Sequence, residues 1–347
     1  MPKTLVTGAS GFIGRHVVPL LLEGGHDVRC LVRPNSDCRF LRQFPVEFIY
    51  GDVTDADSLS NAVESVQFVF HLAGVAQVVS NRRFFELHTQ GTAHLAEACL
   101  KQPNPPRLIH VSSLAAVGPA RDKKPVQEST FPKPVSPYGR SKLLAERELC
   151  ARADRLSCSI VRPPYVFGEW DHASTPLFQM IYKQRIHISP GYFNSLYSFV
   201  HATDLAHLLI KVAEEGETLT SNSVPISAED RQAVSGQGIY NASAGEMVTF
   251  GDFGRLIGKA FGHDSIRVFK IPPLACIGTG LFYETLKKIT GKTVPLDWNK
   301  ICEALRGPWI CDDDKTKNQL GVTPLKPFQE RIEQTAKWQM KKVRGGF

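Results

Sequence analysis

MPKTLVTGASGFIG, residues 1–14, decides how the rest of the chain is read. A short apolar run, Thr4 to Val6, leads into Gly8, Gly11 and Gly14, and an amphipathic stretch from Arg15 to Gly25 follows at once. Glycine at these places permits a tight turn, lets the backbone come close to a pyrophosphate and lets a helix pack against a strand. The helix N-terminus meanwhile presents unpaired N–H groups to an anion. Three spaced glycines alone are a weak signal, but between a strand and a helix they read as a dinucleotide seat made of Gly8, Ser10, Gly11, Phe12, Ile13 and Gly14.

Beyond the loop, apolar runs alternate with helical patterns: DVRCLVR (27–33), VEFIYGD (46–52), a helix from about Ser58, VQFVFHLAG (66–74), a long helix ending near Leu100, and RLIHVSS (107–113). This alternation predicts stacked βαβ units around a parallel sheet covered on both faces, an α/β fold of the doubly wound, Rossmann type. SCSIVRP (157–163) and SLYSFVH (195–201) are expected to continue the sheet. The polar stretch from Glu214 to Gly238 is expected to be a surface insertion.

With 42% hydrophobic and 22% charged residues over 347 positions, the chain can bury a sizeable core and carries too little charge to stay disordered. Its formal charge of +7 is spread along the sequence, apart from KWQMKKVR (337–344), which reads as a solvated end; a nucleic-acid partner is not expected. The eight cysteines form no CxxC pair and have no histidines at zinc-site spacing, so reduced core thiols and no metal are expected. Residues 1–14 do not read as a secretory leader, which predicts a cytoplasmic protein. The apolar stretch 271–282 is interrupted by Pro272, Pro273, Gly278 and Gly280 and falls short of the ~20 residues of a membrane span.

The second strand ends near Val32, where a carboxylate would accept from the ribose hydroxyls of NAD; here stands Arg33. A guanidinium pairs with a 2′-phosphate, which favours NADP(H), with NAD(H) as the alternative. Asp52, at the end of the third strand, can accept from an adenine amino group or cap the helix that follows. In SPYGRSKLLAE (136–146), Tyr138 and Lys142 share one helix face. Lowering a phenol from its ordinary pKa of about 10 to near neutrality takes about 4 kcal/mol, and the adjacent ammonium plus a cationic nicotinamide are expected to favour the phenolate. Tyr283 and Lys287 have the same spacing but no strand end beside them, and Tyr283 is expected to be packing. Ser113 closes the strand before Tyr138, at a carboxyl edge of the sheet.

Together TGASGFIG, GDVTD, HLAG (71–74), HVSSLAAVG (110–118), Tyr138 with Lys142, RPPYVFG (162–168), FVHATDLA (199–206) and YNASAGEMVTFGDF (240–253) resemble the extended short-chain dehydrogenases/reductases. The resemblance is to their epimerase/dehydratase and hydroxysteroid-dehydrogenase-like branch, over nearly the whole chain. The resemblance implies a Rossmann core over 1–168 and 199–242, a smaller substrate lobe over 169–198 and 243–330, and a basic tail over 331–347. It implies Ser113 as a donor to substrate oxygen, Tyr138 as acid/base, and Lys142 as ribose ligand and modifier of the phenol. Val53, Leu72, Ala73 and Gly74 are implied beside the cofactor, with Pro163 and Val166 near the nicotinamide. Two departures stand out: His88, where such proteins usually carry Asn at a proton-relay position, and Arg33 in place of the Asp of sugar epimerases.

Three readings follow. The first is an NADP-dependent carbonyl reductase or alcohol dehydrogenase acting on an apolar or ring substrate, which suits the segment IPPLACIGTGLF (271–282) with Trp298 and Trp309. The second is a nucleotide-sugar epimerase or dehydratase, for which Lys183, Arg185 and Arg267 would meet a diphosphate. The third is a non-enzymatic dinucleotide sensor or assembly subunit, disfavoured by the intact Ser, Tyr and Lys set. The helices near 82–100 and 137–153 resemble those of the family's four-helix interface and predict a homodimer.

Overall fold

The computed structural model describes residues 1–190, 195–225, 234–291 and 298–343. Its strands are β1 (Lys3–Thr7), β2 (Asp27–Val32), β3 (Glu47–Tyr50), β4 (Phe68–His71), β5 (Arg107–Val111), β6 (Cys158–Arg162), β7 (Tyr165–Phe167), β8 (Ile186–Pro190), β9 (Leu196–His201), β10 (Ile239–Asn241), β11 (Met247–Thr249) and β12 (Arg267–Ile271). The helices are α1 (Gly14–Glu23), the single turn α2 (Arg82–Phe84), α3 (Gly91–Leu100), α4 (Pro137–Cys150), α5 (Thr175–Gln184), α6 (Ala202–Glu215), α7 (Phe250–Ala260), α8 (Pro273–Thr290), α9 (Trp298–Leu305), α10 (Asp314–Leu320) and α11 (Phe328–Val343).

Seven strands form one parallel sheet in the order β10-β6-β5-β4-β1-β2-β3. Successive side chains of a strand point to opposite faces, and the core divides accordingly. Leu5, Val69 and Leu108 pack with Leu95 of α3 and Leu143 of α4, while Val6, Phe70 and Ile109 pack with Val17 of α1 and Leu209 of α6. The order reverses between β1 and β4, so the loops at their carboxyl ends diverge and leave a crevice.

The second lobe is built on the β11-β9-β7 sheet and the β12-β8 ribbon. Phe167, Phe178, Phe199, Phe253 and Phe328 form its centre. Residues 195–201 therefore do not extend the main sheet as expected. β9 pairs with β7 and β11, and the place beside β6 goes to β10, three residues long and too short to show a period.

Other local expectations also give way. In place of a helix from Ser58 there is one 3₁₀ turn, Ala56–Leu59. Arg29 explains the stop: its guanidinium takes the carbonyls of Asn61, Ala62 and Glu64 at 2.9–3.0 Å, acceptors that a continuing helix would use. The helix ending at Leu100 carries a π-helical stretch, Phe85–Gln90, which places His88 inward. The segment 217–225 is tied in rather than looped out, with Leu219 donating to Cys158 and Val224 buried; residues 226–233 of the expected insertion lie outside the described residues. The stretch 337–344, expected to be a solvated end, falls on helix α11, where Lys337 and Lys341 are exposed and Gln339 is buried, while the residues before it are packed. Phe328, Ile332 and Ala336 recur at helical spacing and are buried, and Arg331 pairs with Asp204 of α6; residues 344–347 lie outside the described residues. Of the eight cysteines, expected to be core thiols, seven are buried and Cys302 is half-buried.

Candidate active site

The crevice at the carboxyl ends of β1 and β4 is a cavity of about 390 Å³. Gly8 sits at φ +72°, and a Cβ there would lie 2.7 Å from the Ala73 amide nitrogen; at Gly14 it would lie 2.4 Å from the Ala9 carbonyl. Neither position has room for a side chain, and both bring bare backbone to the N-terminus of α1. The cavity is lined by Gly8, Ser10, Gly11, Phe12, Ile13, Gly14, Arg33, Asp52, Val53, Leu72, Ala73, Gly74, Ser113, Tyr138, Lys142, Pro163 and Val166, so every site residue read from the sequence meets at one cleft. Asp52 Oδ1 accepts from the amide and hydroxyl of Thr54, which caps the turn after β3 and fixes the carboxylate. A glycine-rich loop at a helix N-terminus, a guanidinium and a carboxylate at one end and a Tyr–Lys pair at the other fit a nicotinamide dinucleotide.

Ser136 caps α4 by accepting from the Gly139 amide at 3.0 Å, and Pro137 takes the first turn, so Tyr138 and Lys142 are presented from a well-started helix. Ser113, at the end of β5, caps a 3₁₀ turn through the Ala115 amide and hydrogen-bonds Tyr138. Burial pushes the Tyr138 phenol up to about 12; the Ser113 hydrogen bond opposes this and the Glu303 carboxylate adds to it. Burial also lowers Lys142 to about 8, and the Glu146 carboxylate opposes this. Lys142 Nζ donates to the Val111 carbonyl at 3.0 Å.

His88 is buried beside this pair. The Val75 amide donates to Nε2 at 3.2 Å, so the ring proton sits on Nδ1 and faces Ser141 Oγ at 2.8 Å, and that hydroxyl donates to the Tyr138 carbonyl at 2.7 Å. Burial and the Lys142 charge lower its pKa to about 2, so the ring is neutral. It ties the Gly74 loop to the first turn of α4 and meets the Tyr138 ring edge-on at 5.5 Å.

Residues 4–225, well over half the chain, match the profile of the NAD dependent epimerase/dehydratase family. The chain belongs to that family. It is 32% identical over 212 residues to the putative dihydroflavonol 4-reductase of Synechocystis sp., a match covering 59% of this chain and about three fifths (61%) of that protein. To sterol demethylase protein B of Methylococcus capsulatus it is 26% identical over 329 residues, covering 92% and 93%. Among solved structures, a UDP-glucose 4-epimerase from Thermotoga maritima, with UDP-glucose, shares the fold at a TM-score of 0.76 and 21% identity, covering 98% of this chain and 99% of that one. The protein is an NAD(P)-dependent enzyme of the extended short-chain dehydrogenase/reductase type.

This epimerase/dehydratase-family enzyme has a second cavity, of about 440 Å³, that meets the first at Ser113, Tyr138 and Pro164. Its wall is largely apolar, with Leu114, Tyr165, Leu177, Tyr197, Phe250, Ile271 and Trp309; Lys300 and Glu303 are its charged members. Ser136 donates to Glu303 Oε1, and the Trp309 indole donates to the Glu303 carbonyl at 2.8 Å. Neither cavity includes Lys183, Arg185 or Arg267. Tyr283 lines neither cavity, and Lys287 pairs with Glu284 at 2.8 Å, so that Tyr–Lys spacing carries no site.

Sequence reasoning missed Glu303, which a distant helix brings to Tyr138, and no local signal marks it. It also missed the buried bidentate pair of Arg162 and Glu146 beneath Lys142, at 2.9 and 2.7 Å, onto which Ser112 also donates. That pair had a signal, since Glu146 follows Lys142 by one helical turn.

Proposed function

We propose that this enzyme is a cytoplasmic, NADP-dependent carbonyl reductase or alcohol dehydrogenase for an apolar or ring-shaped small molecule. The observation that carries the reading is the apolar wall of the cavity that meets Ser113 and Tyr138. When bound, the nicotinamide supplies or accepts the hydride. Ser113 donates a hydrogen bond to the substrate oxygen, and Tyr138, kept protonated by burial, gives that oxygen its proton on reduction and takes one back on oxidation. Lys142, anchored by the Val111 carbonyl, is the ribose ligand and keeps a positive charge beside the site. The epimerase or dehydratase reading rests on the shared fold, but the cations it called on, Lys183, Arg185 and Arg267, lie outside both cavities.

Arg33 supports the choice of NADP(H), with NAD(H) as the alternative. It lies exposed at the rim of the cofactor cleft, and its amide donates to Ser36 Oγ at 3.2 Å. NADPH should therefore bind about tenfold or more tightly than NADH, and Arg33→Ala should close most of that gap. Fluorescence titration of both cofactors measures it, and equal affinities in the parent would contradict the assignment.

The homodimer is proposed through α3 and α4, whose outward sides carry the Arg152 bridge between Glu97 and Glu148. Light scattering should give twice the mass of one chain, and a single-chain mass at micromolar concentration rules the dimer out.

A further inference from the structure

Helix α8 is amphipathic in the inverted sense. At ~100° per residue, Leu274, Gly278, Leu281, Phe282, Thr285 and Ile289 fall in one arc about a quarter-turn wide. That arc faces solvent: Leu274 is 82% exposed, Leu281 55%, Phe282 65% and Ile289 78%. Cys276, Gly280 and Lys287, on the opposite side, are buried. No charged residue falls in the outward arc. On the β8–β12 ribbon, Ile188 and Phe269 pair across the strands and are 42% and 52% exposed. A run of large apolar side chains on one surface marks an interaction site rather than scattered exposure.

The surroundings name the partner. Lys183 and Arg185 at the end of α5 and Arg267 on β12 are exposed beside the ribbon, and they are the cations that neither cavity uses. Apolar side chains flanked by basic ones suit an interface of acyl chains and anionic headgroups, and no helix among the described residues is long and apolar enough to cross a membrane. The same elements form the wall of the apolar cavity through Ile188, Ile271, Cys276 and Thr279. We infer that α8 and the β8–β12 ribbon dock the enzyme on an anionic lipid surface with the substrate cavity opening beside it. The docking surface stands on exposure and charge alone; its role in admitting a lipid-dissolved substrate rests on the apolar-substrate reading.

The test is sedimentation of the full chain with phosphatidylcholine vesicles, with and without phosphatidylserine. The parent should sediment with the phosphatidylserine vesicles, and added salt should weaken the binding. Leu281→Asp with Phe282→Asp should reduce binding about tenfold or more, Ile289→Asp should reduce it in the same direction, and Lys183→Gln with Arg185→Gln and Arg267→Gln should reduce it on phosphatidylserine vesicles only. All variants should keep the parental circular dichroism and the parental turnover of a water-soluble carbonyl compound. Vesicle binding needs no turnover, so a wrong function and a wrong docking surface fail separately. The inference is overturned if the parent binds neither vesicle, if it binds both alike, or if the Leu281/Phe282 variant binds as the parent does. It is equally overturned if that variant only turns a larger species into a smaller one, which would mean that a second copy covers the face.

Discussion

Replacing Tyr138 by Phe should lower turnover about 10²- to 10⁴-fold, the range by which a positioned acid or base speeds proton transfer, while fold and cofactor affinity stay as in the parent. The ring keeps its contacts with His88 and Phe84, and only the hydroxyl that hydrogen-bonds Ser113 is lost. Ser113→Ala should also depress turnover, and Lys142→Met should weaken both cofactor binding and turnover. Tyr283→Phe is the control, since it removes a hydroxyl at the same spacing but away from both cavities. The pH profile adds a second readout. Burial holds the phenol up to about 12, so its proton is available for reduction throughout the neutral range. Oxidation needs the deprotonated form, so its rate should rise with pH in the parent, and that rise should vanish in Tyr138→Phe. Near-parental turnover in that variant, measured at saturating cofactor, would end the assignment.

The second large effect lies beneath the site. Arg162 and Glu146 are buried completely and joined by two hydrogen bonds, and a buried ion pair broken from one side leaves an uncompensated charge. Arg162→Met should cost about 3–5 kcal/mol of stability, and Arg162→Met with Glu146→Leu should recover a large part of it because no lone charge remains. Urea unfolding followed by circular dichroism measures both. A single variant within about 1 kcal/mol of the parent, or a double variant worse than the single, would show that the pair does not carry this weight. Glu146 also opposes the lowering of Lys142, so the same substitutions couple stability to the site.

What could be read in advance was what local chemistry dictates. Gly8 and Gly14 are glycine because a Cβ would strike backbone, and that constraint is written in the sequence at the residue itself. Tyr138 and Lys142 share a face because helical spacing requires it. The features that stayed hidden depend on partners far along the chain. Arg29 ends a helix thirty residues away by taking its carbonyls. β10 is a strand only because β6 offers it an edge, and 195–201 has strand character without a mark of which sheet it joins. Glu303 and the apolar cavity wall are assembled from separate helices and loops, so composition hinted at an apolar substrate while position could not be seen. The lysines at 337 and 341 are exposed as a linear reading suggests, whereas the burial of Ile332 and Ala336 just before them appears only on a wound helix.

The reaction proposed for this enzyme is net transfer of hydride between cofactor and an apolar carbonyl compound, with Tyr138 moving the proton. To test this most simply, NADPH carrying deuterium at both C4 positions of the nicotinamide is supplied to the purified protein with a panel of apolar cyclic ketones, beside UDP-glucose. One deuterium should be carried to the carbinol carbon of a ketone product for each NADPH consumed, with NADP released and UDP-glucose unchanged. Conversion of UDP-glucose to its 4-epimer with no net NADPH consumption, and no ketone reduced, would contradict it.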